Sequence, residues 1–433
     1  MTVRPEPVEG GTVDLGSSLW IPETMTKIAI LGTLDTKGEE VAFIKGLIEA
    51  RGHVATVVDV APLGPPLAAP DISNERIARL GGWGLAELVG TQEREQIMRV
   101  MGEGAGRCLL DLYKHGGLGG VIALGGNQGT AIASTAMQVL PIGFPKFMIS
   151  TVASGNIRPY VGNKDIGIVF SVADLIGGPN PVTRSILTNA TGALIGMVEL
   201  GTRVTLEPGE RTIAVTALGN TEPAANRAVK LLQEAGFQVV AFHASGAGGS
   251  AMEELIEDGV IQGLLDLTPH ELTEEVVGAG AYLPVKPGRL RVAGAKGIPQ
   301  VISTGALEYV CFGPRESIPP RLRNRKIYMH NPYNANMRAS RKELAQVGKI
   351  MAERVNDARG PTAVLIPLRG WSVYGAEGGP LHDPKGYGIF TRALKEHLHP
   401  GVRLEEIKAH INGSVFVGRC VETLLELIGV TKT

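Results

Sequence analysis

The sequence predicts an α/β protein of two tandem Rossmann-like domains, each a doubly wound, mostly parallel sheet, related by internal duplication. Three observations carry this reading. The first is a near-repeat: KIAILGTLDTKGEEVAFIKGLIEARGHVATVV at Lys27–Val58 is answered by TIAVTALGNTEPAANRAVKLLQEAGFQVVAF at Thr212–Phe242. Each copy runs apolar strand, Gly/Thr/Asx turn, amphipathic stretch ending in Gly, second apolar strand, which is a βαβ unit. The echo continues, with LGGVIAL at Leu118–Leu124 matched by IQGLLDL at Ile261–Leu267, and FPKFMIST at Phe144–Thr151 matched by IPQVIST at Ile298–Thr304. The second observation is glycine, 58 of 433 residues, about twice the usual ~7% and without a collagen period; tight strand-to-helix turns account for it. The third is the scarcity of aromatics, 5%, as expected of parallel strands buried on both faces and built from Val, Ile, Leu and Ala.

The elements follow in order. Apolar β-rich runs predict strands at Lys27–Leu31, Val54–Val58, Gly120–Leu124, Phe147–Ile149 and Ile166–Phe170. Between them, helical periodicity covers Glu39–Arg51, Glu93–His115, Gln128–Leu140 and Thr183–Val198. Leu206–Arg211, with its Pro-Gly turn, is the linker. The second half restarts at Thr212, with strands at Gln238–His243, Gly263–Leu267, Pro299–Ser303, Lys326–His330, Ala363–Ile366 and Arg403–Ile407. Its helices are expected at Pro223–Ala235, Ser250–Asp258, Arg341–Asn356, Gly386–Leu398 and Gly413–Ile428, and its Pro-Gly segments Pro284–Gly288 and Gly313–Pro320 read as loops over a cleft. The domains are therefore 25–207 and 208–433, after a leader at 1–24 that lacks the basic and apolar regions of a signal peptide and is read as disordered.

A net charge of −1 with no basic run excludes a nucleic-acid surface. No apolar stretch reaches the ~18–20 residues of a transmembrane helix. Cys108, Cys311 and Cys420 form neither a disulfide framework nor a CxxC site, so they read as inert thiols of a cytoplasmic protein.

Three loops follow successive strands of the first domain. Gly32-Thr33-Leu34-Asp35-Thr36-Lys37-Gly38 is neither a Walker A loop nor GxGxxG. Its amides, Thr hydroxyls and Lys37 still suit an anion, with Asp35 acting through Mg²⁺ or as a helix cap. Asp59 closes the second strand, where an acid can hold ribose hydroxyls. Gly125-Gly126-Asn127-Gln128-Gly129-Thr130 opens a helix directly after an apolar strand, so backbone and ligand can approach closely. Thr151, Ser154 and Gly155 supply a third polar loop. Loops at the carboxyl ends of adjacent parallel strands converge on one crevice, which points to a nucleotide or phosphate.

LGTLDTKG, ALGGNQGTAIA, STVASG and PYVGNKDIG, together with HNPYNANMR and PLRGWS of the second half, resemble the Tm-1-like ATP-binding domain family. The resemblance covers nearly all of Lys27–Val430. It implies two Rossmann-like subdomains, a homodimer, and ATP with Mg²⁺ bound mainly by the first subdomain. The chain departs from the family pattern at Asn163-Lys164, at Glu308 where Asp is usual, and at Gly413 in place of an Asp, which weakens any role for that Asp as ligand or catalyst.

The second half adds Phe242-His243-Ala244-Ser245-Gly246-Ala247-Gly248-Gly249, another amide-rich turn suited to an anion. Arg338 and Arg369 can hold a carboxylate or phosphate, with Asp383 nearby and His330 or His243 as acid–base. His243, His330 and His410 each follow a predicted strand and can meet at one sheet edge, but their spacing matches no compact metal-ligand pattern. The expectation is an ATP–Mg²⁺-binding protein acting on a small anionic metabolite in the cleft between its domains, as a ligase, phosphotransferase or hydrolase. The alternative is a nucleotide-sensing module that binds a protein partner. An NAD(P) oxidoreductase is disfavoured because no GxGxxG follows either first strand.

Overall fold

The structure, a computed structural model, describes residues 25–207 and 209–429; the predicted leader lies outside them. In chain order the first half runs β1 (Lys27–Gly32), α1 (Leu34–Ala50), β2 (Val54–Asp59), α2 (Asn74–Leu80), α3 (Leu85–Gly90), α4 (Arg94–Lys114), β3 (Gly120–Gly125) and α5 (Asn127–Met137). It continues with β4 (Lys146–Ser150), α6 (Arg158–Val161), β5 (Gly167–Phe170) and α7 (Pro181–Leu200). The second half runs β6 (Thr212–Ala217), α8 (Glu222–Glu234), β7 (Gln238–His243), α9 (Ala247–Glu257), β8 (Gly263–Asp266), α10 (Glu271–Val277), α11 (Val292–Lys296) and β9 (Gln300–Ile302). It closes with β10 (Tyr309–Phe312), β11 (Ile327–Asn331), β12 (Asn334–Arg338), α12 (Arg341–Asn356), β13 (Thr362–Pro367), α13 (Pro384–His397), β14 (Arg403–Ile407) and α14 (Ser414–Ile428).

The chain divides into two compact units. The first comprises the chain through residue 137 with 145–154 and 167–201; the second takes 138–144, 155–166 and everything from 202 onward. The second unit thus includes two short segments from within the first half. One is tied down by Lys164, whose ammonium pairs with Glu254, and by Asn163, whose Nδ2 donates to Glu254 Oε2 at 2.8 Å.

The first unit's sheet is parallel throughout, in the order β2-β1-β3-β4-β5. Ile28 and Ile30 of β1 pack with Ile44 and Ile48 of α1 and Leu187 and Leu194 of α7, the two-residue period of a strand meeting the stripe of a helix. The helix α7 is fixed at its start by Asn180, whose side chain accepts from the amides of Val182 and Thr183 while the Thr183 hydroxyl accepts from Asn180's own N–H.

The second unit's main sheet is also parallel, ordered β14-β13-β9-β8-β6-β7. Counted from its first strand, this is the order of the first sheet with one strand added. Ile213 and Val215 face α8 and α14, whereas Ala214 between them faces Met252 and Ile256 of α9. Helix α12 starts at Ser340, which forms a capping box with Glu343.

A three-stranded antiparallel sheet, β10-β12-β11, is inserted between β9 and β13. Here the structure differs from the expectation. The strand expected at Lys326–His330 is present as β11, but it stands outside the parallel sheet and forms with β12 a hairpin about HNPYNANMR. The pattern is that of a half-polar strand, since Val310, Phe312, Ala335 and Met337 enter an apolar cluster together with Ile327 and Met329. Their alternates, Tyr309, Cys311, Tyr328, His330, Asn334 and Asn336, turn to the other face. Asn-rich β12 overrides weak strand propensity because its neighbours complete the ladder.

Candidate functional site

In a doubly wound sheet the crevice opens where successive crossovers leave on opposite faces. In the strand order 2-1-3-4-5 this point lies between the first and third strands. The first unit presents there the turns after β1 and β3. The β3–α5 turn is the more open. A Cβ on Gly125 would lie 2.7 Å from the Gly129 backbone, so that glycine serves close packing of strand and helix. A Cβ on Gly126 would meet only Thr151 Oγ1, at 3.7 Å. Asn127 and Gln128 are exposed, and the first N–H groups of α5 have no acceptor within their helix. Thr130 points inward, its hydroxyl bonded to Ser150 Oγ at 2.8 Å and donating to Gly125 O at 3.2 Å. Ser154 and Gly155 are exposed.

The β1–α1 turn is more closely held. The Lys37 ammonium donates to the Leu175 carbonyl, and the helix kinks at Lys37. A Cβ on Gly38 would strike the backbone of Leu67 and Ala68 within 2.9 Å, so 61–68 lies over this turn. Gly32 is confined by Val41. Thr33 and Thr36 share a hydroxyl contact at 3.2 Å, with Thr36 exposed, and Asp35 Oδ1 accepts from Thr36. Asp59 is buried. Its Oδ1 accepts from the amides of Leu34 and Ala61, at 3.2 and 2.9 Å, which fixes the start of α1. Its Oδ2 has no hydrogen-bond partner among the described residues. Burial pushes its carboxyl above the ordinary range against the pull of those two amides.

In the second unit the glycine loop Ser245–Gly249, which follows the edge strand β7, is already filled. Glu271 Oε1 accepts from the amides of Gly246 and Gly249 at 2.9 and 3.1 Å. Glu271 is in turn one of three carboxylates around Arg289, which is fully buried and donates to Glu271, Glu253 and Asp266 at 2.8–2.9 Å. Any side chain on Gly248 would collide with the His243 carbonyl. Ser245 donates to the His243 carbonyl at 3.4 Å. Of the remaining expected residues, Arg338 donates to the His382 carbonyl at 3.4 Å and Arg369 is exposed. Asp383 is held bidentate by Arg341 at 2.9 and 3.1 Å, an ion pair that keeps its carboxyl below the ordinary range.

Two expected histidines do come together. His243, at the end of β7, and His330, on β11, line one cavity of about 620 Å³; His410 lies elsewhere, beside the Ser372 carbonyl. The cavity takes its floor from buried Tyr309, Cys311 and Asn336 and its rim from the turn after β6, Leu218-Gly219-Asn220. Tyr282, Tyr328, Asn334 and Tyr374 complete the wall. Asn220 Nδ2 donates to the Tyr309 hydroxyl at 2.6 Å, and Tyr374 and His330 are 3.1 Å apart at Oη and Nδ1. Burial raises Tyr309, Tyr282, Tyr374 and Cys311 and lowers His243, so each of these stays uncharged near neutrality. Of the tyrosines and asparagines, Tyr309, Tyr328, Asn334 and Asn336 lie on three strands, where the alternation in YVCF, IYMH and NANM is the available signal, whereas Asn220, Tyr282 and Tyr374 lie in loops that carry none.

Behind the cavity sits His270, fully buried. Its Nδ1 is 2.7 Å from the Ala306 carbonyl and its Nε2 3.0 Å from Glu274 Oε1. Both nitrogens thus face acceptors, the arrangement of an imidazolium. Burial opposes that charge, but the Glu274 carboxylate favours it and His270 is held well above its ordinary range. Glu274 also accepts from the amides of Cys311 and Tyr282 at 2.8 and 2.6 Å. His270, Glu274 and Cys311 place candidate metal-ligand atoms within 4.8 Å of one another. The hydrogen bonds describe a satisfied internal ion pair, with the imidazole nitrogens and the carboxylate already engaged.

Fold and sites together define a two-domain α/β protein built on one duplicated sheet plan, with a glycine-rich turn at one switch point and a side-chain-lined cavity at the other. The chain belongs to the uncharacterised protein family UPF0261: the family's N-terminal domain matches residues 26–203 and its C-terminal domain residues 210–428. A UPF0261 protein of Clostridium tetani is 41% identical over 403 residues, 93% of this chain and 99% of that one. The ToMV resistance protein Tm-1(GCR237) of Solanum lycopersicum is 38% identical over 316 residues, 72% of this chain and 42% of that protein. The resemblance drawn from the glycine-rich motifs therefore holds at the level of family. Among solved structures, UDP-GlcNAc 2-epimerase from Neisseria meningitidis bound to UDP-GlcNAc aligns with 64% of this chain and 82% of its own at 12% identity and a TM-score of 0.23. No helix among the described residues is long and apolar enough to cross a membrane.

Proposed function

We propose that the first unit binds ATP with Mg²⁺ at the switch point between β1 and β3, and that the chain uses the nucleotide on a small metabolite. The observation that carries the reading is the open flank of Gly126: room against the backbone, exposed Asn127 and Gln128, and helix N–H groups without internal acceptors. The phosphates would lie against Gly126–Gly129 and the hydroxyls of Thr33, Thr36 and Thr151. Asp35 would act on Mg²⁺ through the nucleotide, and the unpaired Asp59 Oδ2 suits a ribose hydroxyl. Lys37, engaged with the Leu175 carbonyl, would join only by exchanging that partner.

An anionic metabolite would be held by Arg338 or Arg369, neither of which lines the cavity of His243 and His330. A homodimer in the cytoplasm completes the proposal. Thermal unfolding with ATP, ADP, GTP and NAD⁺, each with and without Mg²⁺, tests it. A ligand at 100 times its Kd adds about 2.7 kcal/mol, and the ATP–Mg²⁺ shift should vanish in Gly126→Val while the unliganded midpoint barely moves. A shift from no nucleotide would end the reading. Binding without metabolite-dependent ATP consumption would leave the sensor.

A further inference from the structure

The cavity of the second unit has a chemistry of its own. The described residues lining it include no Asp, Glu, Lys or Arg. A charged ligand entering it would lose hydration without gaining a partner of opposite charge. Its polar groups are hydroxyls, amides and imidazoles, and two of them are incomplete. Asn220 Oδ1 and Asn334 Oδ1 are shielded from solvent and have no hydrogen-bond partner among the described residues. Buried carbonyl oxygens in native proteins nearly always have a donor, and these two have an accepting position left to fill.

The aromatic rings are arranged in series. Tyr328 and Tyr374 lie with centroids 5.1 Å apart and Tyr374 and Tyr309 5.6 Å apart. They offer ring faces and edges to a flat or ring-shaped body. Tyr309, whose oxygen already accepts from Asn220, has its hydroxyl proton to give. About 620 Å³ is in the range of small-molecule sites, roughly 300–1,000 Å³. The place is also apt, since Leu218–Asn220 follow β6 and Asp266–His270 follow β8, the switch point of this sheet.

We propose that this cavity binds an uncharged, hydroxyl-bearing ring compound, a nucleoside or a simple sugar, whose donors meet Asn220 Oδ1 and Asn334 Oδ1 and whose ring packs on Tyr328 and Tyr374. The site is separate from nucleotide binding by the first unit, and either can fail without the other.

The test is saturation-transfer NMR followed by calorimetry on the full chain. The panel is adenosine, uridine, glucose and maltose, each beside a phosphorylated counterpart such as AMP or glucose 6-phosphate. A neutral member should bind, and adding phosphate should weaken binding about tenfold or more. Nucleosides and sugars separate at this step. Asn334→Ala and Asn220→Ala should each weaken the neutral ligand by roughly tenfold, one lost hydrogen bond. Tyr374→Phe, which keeps the ring, covers the case in which an Asn variant fails to fold, and it should weaken binding only a few-fold. Unchanged affinity in all three variants would overturn the proposal. So would tighter binding of the phosphorylated forms, or no binding of any neutral member at roughly 10 mM, weaker than any useful site.

Discussion

The two sheets share one strand order, yet their glycine-rich turns have opposite contents. In the first unit the turn after β3 offers backbone and little else, with room beside Gly126 up to the Thr151 hydroxyl. In the second unit, in the turn after the edge strand β7, the chain supplies its own anion. Glu271 occupies the amides of Gly246 and Gly249, Arg289 donates to Glu271, Glu253 and Asp266 behind it, and the cavity nearby is lined by tyrosine, histidine and asparagine side chains. A glycine-rich turn is therefore an anion site only where no carboxylate of the same chain has taken it. Duplication preserved the scaffold while the loops diverged in what fills them.

The comparison is broken most severely at Arg289. Arg289→Met leaves three buried carboxylates around an uncharged side chain, and removal of one partner of a buried ion pair costs about 3–5 kcal/mol. Urea unfolding should show at least that loss, or no folded second unit.

Next in size is Glu308, buried, bonded by Ser372 and with Oε2 unpartnered among the described residues. Burial raises its carboxyl from 4.5 to about 7. The folded state thus binds its proton more tightly than the unfolded chain. The stability this gives is full below pH 4.5 and is lost as pH rises through about 7. Glu308→Gln should therefore flatten the pH profile and stabilise the protein by about 3 kcal/mol at pH 8 relative to the wild type, read from denaturant midpoints at pH 5 and pH 8.

Glu271→Ser sharpens the comparison. It should cost roughly 2–3 kcal/mol, since hydrogen-bonded charges rank among the stronger buried interactions. Phosphate or sulfate should restore part of the midpoint by entering the vacated amides of Gly246 and Gly249, as no such salt effect would do for a variant elsewhere. Smallest in stability is the glycine pair of the first unit. Gly125→Ala should lose about 1–3 kcal/mol through overpacking against Gly129, whereas Gly126→Ala should change unfolding by less than about 0.5 kcal/mol.

Much of this was legible in the chain. Gln238–His243, Arg403–Ile407 and Arg341–Asn356 were read with the boundaries the structure has, because hydrophobic period and caps are local signals. The helices α2, α3, α10 and α11 were not read, being short and weakly periodic, nor were β10 and β12, whose pairing is antiparallel and non-local. For the sites, sequence pattern singled out the glycine turns and brought forward His243 and His330. It did not distinguish the turn that is open from the turn that is filled.

By itself the sequence determined the class of fold, the duplication, the order of strands and helices and the turns that stand at strand ends, because each rests on residues a few positions apart. Tertiary structure decided which of those turns is free. Glu271 reaches Gly246 across 25 residues, Lys37 reaches Leu175 across 138, and Asn220 meets Tyr309 across 89. Contacts at such separations depend on how layers pack, and no local period records them.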